Sequence, residues 1–421
     1  MREALEQIAH SLVQAGLAVG AGEDAPLVAA LDEGCVWNRQ PVDPAAWNAL
    51  FEAAPGSALV CIRPAGAYGV VIRHLVRQAM RQGATALQPA DSETRTFLHD
   101  IPVAPSLEAA AVAGALSRRK GCIVLDGDAV PLVLAAGALT PGQAAVTVSC
   151  ICFATFVQFF VDALLMARLR GMDRATSEAV AAAFNALPAI VDDPPRLMTG
   201  PFEDPTVARA AMMEAGRVTV TLGLVDSCFG NVSYVMDTIM HISQTGAALD
   251  ALEDAIDACP LTDDPALGAS TAGITASSEC AAHQAVIEQA MAGMPETGCR
   301  VRAILHGHPR FAVILSMDCP GRGTGNESPC PDAEFCQIRC PRSRYLEAEG
   351  CPDIPVVPGE VGTGPTGLCQ TVPVALAGRR GAMVFGHGLF TADPVDFNGA
   401  LATLLEVENA CRREVARRLA L

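Results

Sequence analysis

The chain has 421 residues, longer than one hydrophobic core usually supports, so two domains are expected. Hydrophobic residues make up 51% and charged residues 18%, which excludes a disordered chain and points to well-buried globular units. A formal net charge of −17 argues against nucleic acid or an anionic membrane as the main partner, and leaves room for a phosphorylated small molecule at a locally basic site. The N-terminus, Met1-Arg2-Glu3-Ala4-Leu5-Glu6, places acid where a signal peptide needs a basic start and an apolar core. A cytoplasmic protein is therefore expected, with its 16 cysteines mostly reduced.

The first apolar, β-rich run is Ala58–Ile62, within Cys61-Ile62-Arg63-Pro64. Ile101-Pro102-Val103 comes next, then Arg118-Arg119, the apolar Cys122-Ile123-Val124-Leu125, a glycine turn at Gly127-Asp128 and a long helix to about Arg170. Residues 145–166 are the most apolar stretch of the chain, but Gln158 and Asp162 interrupt it, so a buried helix is predicted rather than a membrane span. Lys120 is the only lysine, leaving Schiff-base chemistry a single candidate amine, so carbonyl chemistry is expected to rest on a metal.

Residues 187–207 contain Pro188, Pro194, Pro195, Pro201 and Pro205, a density that interrupts helix and strand alike. A linker at 191–205 is predicted, between a domain at 1–190 and one at 206–421. Further strands are predicted at 218–225, 302–315 and 382–385 among alanine-rich helices, the pattern of an α/β fold with helices covering a sheet. The second half repeats the order of the first: Ile354-Pro355-Val356, then Arg379-Arg380, then Ala382-Met383-Val384-Phe385, a glycine turn, and a helix to Leu421. A duplicated fold is the expectation.

Five of the eight histidines lie beyond residue 240. His306 and His308 stand two apart in an apolar run that reads as a buried strand, so both imidazoles project from one face, with Gly307 leaving the other face open. His387 ends another apolar run between Gly386 and Gly388, which let backbone approach closely. Three histidines with an open position form a ligand set of the catalytic kind. Glu279 is either a fourth ligand, a general base or a carboxylate at a helix N-terminus. Cys319, Cys330, Cys336, Cys340 and Cys351 fall in an insertion at 319–351 whose spacings match no familiar zinc or iron–sulfur pattern. A structural zinc, an iron–sulfur centre and incidental thiols all remain open there.

Taken in order, Gly230-Asn231-Val232-Ser233, Gln244-Thr245-Gly246, Ser277-Ser278-Glu279, His306-Gly307-His308-Pro309 and Gly386-His387-Gly388 resemble the class II aldolase/adducin family, which includes the zinc-dependent fuculose-phosphate and rhamnulose-phosphate aldolases. The resemblance covers roughly residues 206–421. It implies a three-layer α/β/α domain on a mostly antiparallel sheet, a homo-oligomer, and zinc or another divalent metal on His306, His308 and His387. It implies that Glu279 moves the proton of an enediolate, and that Asn231, Thr245, Gly246, Ser277 and Ser278 hold a sugar's phosphate. The implied activity is cleavage of a carbon–carbon bond in a phosphorylated ketose, with dehydration or decarboxylation of a phosphorylated sugar or sugar acid as siblings and a non-catalytic assembly module as the other class. Glutamate at 279 favours these reactions over the family's epimerases. The family's tyrosine after the Ile-Pro segment is missing, so the acid is Tyr345, Glu360 or another group. The first half lacks the ligands, and is expected to be a degenerate copy that serves assembly.

Overall fold

A computed structural model describes residues 1–169, 171–226, 229–261, 272–292, 301–319, 344–358 and 366–421. The chain separates into two units, Met1–Pro188 and Ala189–Leu421.

The first unit is a seven-stranded sheet in the order β2-β1-β3-β7-β6-β5-β4. Its strands are β1 (Leu27–Leu31), β2 (Cys35–Trp37), β3 (Ala58–Ile62), β4 (Ala86–Leu87), β5 (Ile101–Ala104), β6 (Gly121–Val124) and β7 (Leu132–Gly137). Helices α2 (Pro44–Ala53) and α4 (Ala109–Arg118) pack Leu50, Phe51, Val112 and Leu116 against one face. Helices α1 (Arg2–Gln14), α3 (Gly66–Arg81) and α5 (Pro141–Arg168) lie against the other, with α6 (Arg174–Asn185) on α3. Thr140 and Gln143 form a reciprocal capping box that starts α5 at Pro141. Long and apolar enough to cross a membrane, α5 instead buries Phe153, Phe156, Phe159 and Phe160 inside its own unit.

Among its described residues the second unit has eight strands, in the order β10-β9-β8-β11-β15-β14-β13-β12. They are β8 (Asn231–Met236), β9 (Ile239–Ser243), β10 (Ile256–Pro260), β11 (Ala303–Gly307), β12 (Arg344–Tyr345), β13 (Pro355–Val357), β14 (Gly381–Val384) and β15 (Leu389–Asp393). Every pair is antiparallel except β13–β14. Helices α8 (Ala272–Thr275), α9 (Cys280–Ala292) and α11 (Leu368–Leu376) cover one side. Helices α7 (Pro205–Thr221), α10 (Arg310–Met317) and α12 (Phe397–Leu419) cover the other, completing an α/β/α domain on a mostly antiparallel sheet.

Apart from β10, which has no counterpart in the first sheet, the two sheets share order, sense and register. The single parallel pair of the first, Val103↔Ile123, matches Val356↔Met383 in the second. Leu27↔Cys61 on β1–β3 matches Asn231↔His306 on β8–β11, and Ile62↔Val133 matches Gly307↔Leu389. Arg63-Pro64 and His308-Pro309 follow the two central strands, each leading into a helix. Even a bracing bond recurs: the N–H of Val28 donates to Asn38 Oδ1 at 2.8 Å, and that of Val232 to Ser243 Oγ at 3.2 Å.

Three predicted elements come out differently. Residues 218–225 are not a strand, because α7, started by Pro205 and the Asp204 cap, runs to Thr221 and packs on β8. The run at 302–315 divides: β11 ends at Gly307, and α10 starts after Pro309, which has no N–H for a ladder. Glu408 supplies the cap that Pro309 cannot, accepting the N–H groups of Phe311 at 2.9 Å and Ala312 at 3.0 Å. The proline-dense segment has no regular structure at 189–204, yet it is held closely to the second unit. The N–H groups of Leu197, Gly200 and Phe202 donate to Asn398, Asp396 and Tyr234.

Candidate metal centre

The centre of the second sheet places His306 on β11, and the tight turns after β11 and β14 bring His308 and His387 beside it. One ring nitrogen from each of the three lies within 4.8 Å of the others, and all three side chains are buried. His306 Nδ1–H donates to the Leu389 carbonyl at 3.2 Å, which leaves the lone pair on Nε2 facing the cluster. Phe390 stacks on His306 with ring centroids 3.9 Å apart, and Phe229 stacks on His308 at 5.3 Å. Among the described residues no other group of His, Cys, Asp and Glu is set this way for a metal.

Glycine is needed at two places here. A Cβ on Gly388 would lie 2.5 Å from His306 Cε1 and 2.8 Å from His308 Cδ2, so any side chain would displace both imidazoles. Gly307 does not leave an open face, as the His-x-His spacing suggested. A Cβ there would meet Leu404 of α12 at 3.1 Å, so glycine lets that helix lie close against the strand.

Glu279, one residue before α9, is buried, with Oε1 2.8 Å from His387 Nε2 and Oε2 3.3 Å from His306 Nε2. Asn231 Nδ2 donates to Oε2 at 2.8 Å. Burial pushes the carboxyl pKa up, but His306, His387 and Asn231 outweigh it and hold the group well below 4.5. Burial lowers His306 to about 4, with Glu279 opposing, and burial also drives His308 well below 6.5. His306 and His308 are therefore neutral donors near pH 7 and the carboxylate is ionised, which suits a divalent ion. The residues present fit such an ion.

The residues expected around a phosphate divide. Pairing of Gln244 with Ala276, and the N–H bonds from Thr245 to the Thr275 carbonyl and from Ser277 to the Ser243 carbonyl, bring Thr245 and Gly246 beside Ser277 and Ser278. Thr245, Gly246 and Ser278 are exposed, and Gly246 has φ +69° with open space where a Cβ would stand. Ser277 is buried and its Oγ accepts the Glu279 N–H at 3.2 Å. Asn231 differs from them in its bonding: both ends of its amide are bonded within the protein, to Glu279 and His283.

His283 was not singled out in the sequence. It lies four residues after Glu279, on the same helical face, and that spacing was its one available signal. Cys330, Cys336, Cys340 and Glu360 lie outside the described residues. Cys351 shares a hydrogen bond with Cys411 of α12, a residue not in the predicted cluster, and Cys319 is half-buried. Tyr345 is exposed on β12, while Tyr234 is buried and its hydroxyl donates to the Val395 carbonyl at 3.0 Å.

Residues 210–415 match the model of the family described as Class II Aldolase and Adducin N-terminal domain. No curated protein matches the chain. Among solved structures it is similar to L-fuculose-1-phosphate aldolase from Thermus thermophilus, at 23% identity over 51% of this chain and 96% of that one, with a TM-score of 0.37. A sugar-phosphate aldolase from Thermotoga maritima is similar at 16% identity over 51% and 96%, TM-score 0.35. So is the N-terminal class II aldolase domain of a conserved protein from Thermoplasma acidophilum, at 14% over 54% and 100%, TM-score 0.31.

Proposed function

We propose that the chain, whose residues 210–415 belong to the class II aldolase and adducin family, is a divalent-metal-dependent lyase that cleaves a carbon–carbon bond of a phosphorylated ketose. In this reading residues 206–421 are the catalytic domain and 1–190 a copy without ligands, and the protein is a cytoplasmic homo-oligomer. The observation that carries it is a buried, ionised Glu279 within hydrogen-bond reach of two of three close-set imidazoles. A module used only for assembly gains nothing from burying four such groups, since burial of polar groups costs stability unless they are fully paired.

His306, His308 and His387 would hold the metal, which when bound supplies Lewis acidity toward a carbonyl and a neighbouring hydroxyl oxygen. Glu279, ionised at neutral pH, accepts a proton from the substrate hydroxyl and returns it at carbon, with Asn231 fixing its orientation. Thr245, Ser277 and Ser278 offer hydroxyls, and the turn at Gly246 offers backbone N–H groups, to a phosphate without a lysine. Phe229 and Phe390 keep water from the imidazoles. The second reading, dehydration or decarboxylation of a phosphorylated sugar or sugar acid, is supported by one observation: the buried Tyr234 is bonded to the protein, and Tyr345 is exposed on β12.

Metal analysis with a panel of ketose 1-phosphates and phosphorylated sugar acids tests the proposal. About one divalent ion per chain, with dihydroxyacetone phosphate released from one ketose, is the expected result. A metal-free preparation that cannot be loaded and turns over nothing would return the chain to the assembly class.

A further inference from the structure

Two buried polar residues beside the centre, Ser233 on β8 and His283 on α9, have no part in the chemistry just described, nor does the far end of the Asn231 amide. Ser233 Oγ lies 2.7 Å from His283 Nδ1, and His283 Nε2 contacts Asn231 Oδ1. The amide oxygen can only accept, so His283 Nε2 carries the proton and Nδ1 accepts from the serine hydroxyl. Asn231 Nδ2 then donates to Glu279 Oε2 at 2.8 Å. Each bond is donated toward the carboxylate: serine to histidine, histidine to amide, amide to Glu279. Turned the other way, the amide would set Oδ1 against the ionised carboxylate, acceptor against acceptor.

The first unit shows that the architecture does not require this chain of bonds. By strand register Leu27 stands at the place of Asn231, Ala29 at that of Ser233 and Cys61 at that of His306. The same sheet folds there with apolar residues at both strand positions, and all three are buried. The polar series and the histidine site are present together in one unit and lacking together in the other.

We infer that Ser233, His283 and Asn231 are positioning residues, a directional relay that fixes which way Glu279 presents its carboxylate. The inference rests on reading Glu279 as the base. His283 sets the amide by its tautomer, and Ser233 sets the tautomer. Removing an outer partner of this kind lowers activity by about 10- to 100-fold.

The test has two arms on the full chain. Long-range proton–nitrogen spectra of protein labelled with 15N-histidine, with the signal assigned by its loss in His283→Gln, should show His283 neutral with its proton on Nε2. A proton on Nδ1, or an imidazolium, overturns the relay whatever the enzyme does. In the second arm, zinc-loaded His283→Leu should keep one zinc per chain and a KM near that of the parent while kcat falls about 10- to 100-fold. His283→Gln, which keeps a donor toward Asn231 and an acceptor toward Ser233, should recover most of that loss. Equal deficits in folded, zinc-loaded Leu and Gln variants would overturn the relay. Should His283→Leu not fold, Ser233→Ala takes its place, with a smaller fall in kcat expected and an unchanged kcat counting against the inference. If the parent cleaves no ketose phosphate, the functional proposal fails while the tautomer result still decides the relay.

Discussion

Replacing Gly388 by alanine adds one methyl group at the tightest point of the site. That methyl would sit 2.5 Å from His306 Cε1, 2.6 Å from the Gly307 carbonyl oxygen and 2.8 Å from His308 Cδ2. Carbon atoms rest at about 3.5–4.0 Å, so the two rings must retreat by roughly 1 Å. Overpacking of this kind costs about 1–3 kcal/mol, or about 2–4 °C in Tm per kcal/mol for a unit of this size. The effect on the metal is larger, because nitrogen–metal distances near 2.0–2.1 Å hold only within about 0.5 Å of the right geometry. We expect zinc affinity, measured by competition with a chromophoric chelator, to fall about 100-fold or more, the scale of a 1 Å misplacement. Gly114→Ala serves as a control: it is on α4, with nothing near its added Cβ, and should be neutral or stabilising by about 0.5–1 kcal/mol. In the first unit Leu132, paired with Val124, occupies the register place of Gly388 where no imidazoles stand. A Gly388→Ala protein with parental zinc affinity would refute the steric argument.

Glu279→Gln keeps the shape of the side chain and removes the charge, so turnover should fall about 100-fold or more while one metal ion per chain is retained, measured by steady-state kinetics beside elemental analysis. Glu408→Ala strips the cap from α10 and leaves the N–H groups of Phe311 and Ala312 unsatisfied; thermal unfolding should show a loss of about 1–3 kcal/mol for each. Burial raises the Glu408 carboxyl above 4.5, with the two capping N–H groups opposing. Between 4.5 and that raised value the folded state binds more protons than the unfolded, so this contribution weakens as pH rises. The Tm of the parent relative to Glu408→Gln should therefore be highest below pH 4.5 and decline as the pH rises above it.

Periodicity and turn residues made much of this architecture legible. Ile101-Pro102-Val103 and Ile354-Pro355-Val356 pointed to a repeat, and both fall on the strand of the lone parallel pair. The histidines were legible because His-x-His and glycine-flanked histidine are rare local patterns with a chemical reason. What escaped was set by contacts distant in sequence. Glu408 reaches across 97 residues to cap α10, so nothing near Pro309 announced a helix. Gly307 was misread because Leu404, the residue it accommodates, is far along the chain. That His283 holds the far end of the Asn231 amide could not be read from the sequence, because the two lie 52 residues apart.

The turn after β6 is longer than the one after β14: seven residues, 125–131, against four, 385–388. Its added length carries Asp126, whose Oδ2 lies 2.6 Å from Arg63 Nη2, while Asp24 meets Nε of the same guanidinium at 2.5 Å. Arg63 follows β3 as His308 follows β11, so one unit has a permanent cation of its own at the place where the other has an imidazole of the candidate metal centre. A guanidinium cannot be chelated, depleted or replaced by a competing ion. On the function proposed above, a chelator would strip the centre of the second unit and leave the Arg63 ion pairs of the first in place.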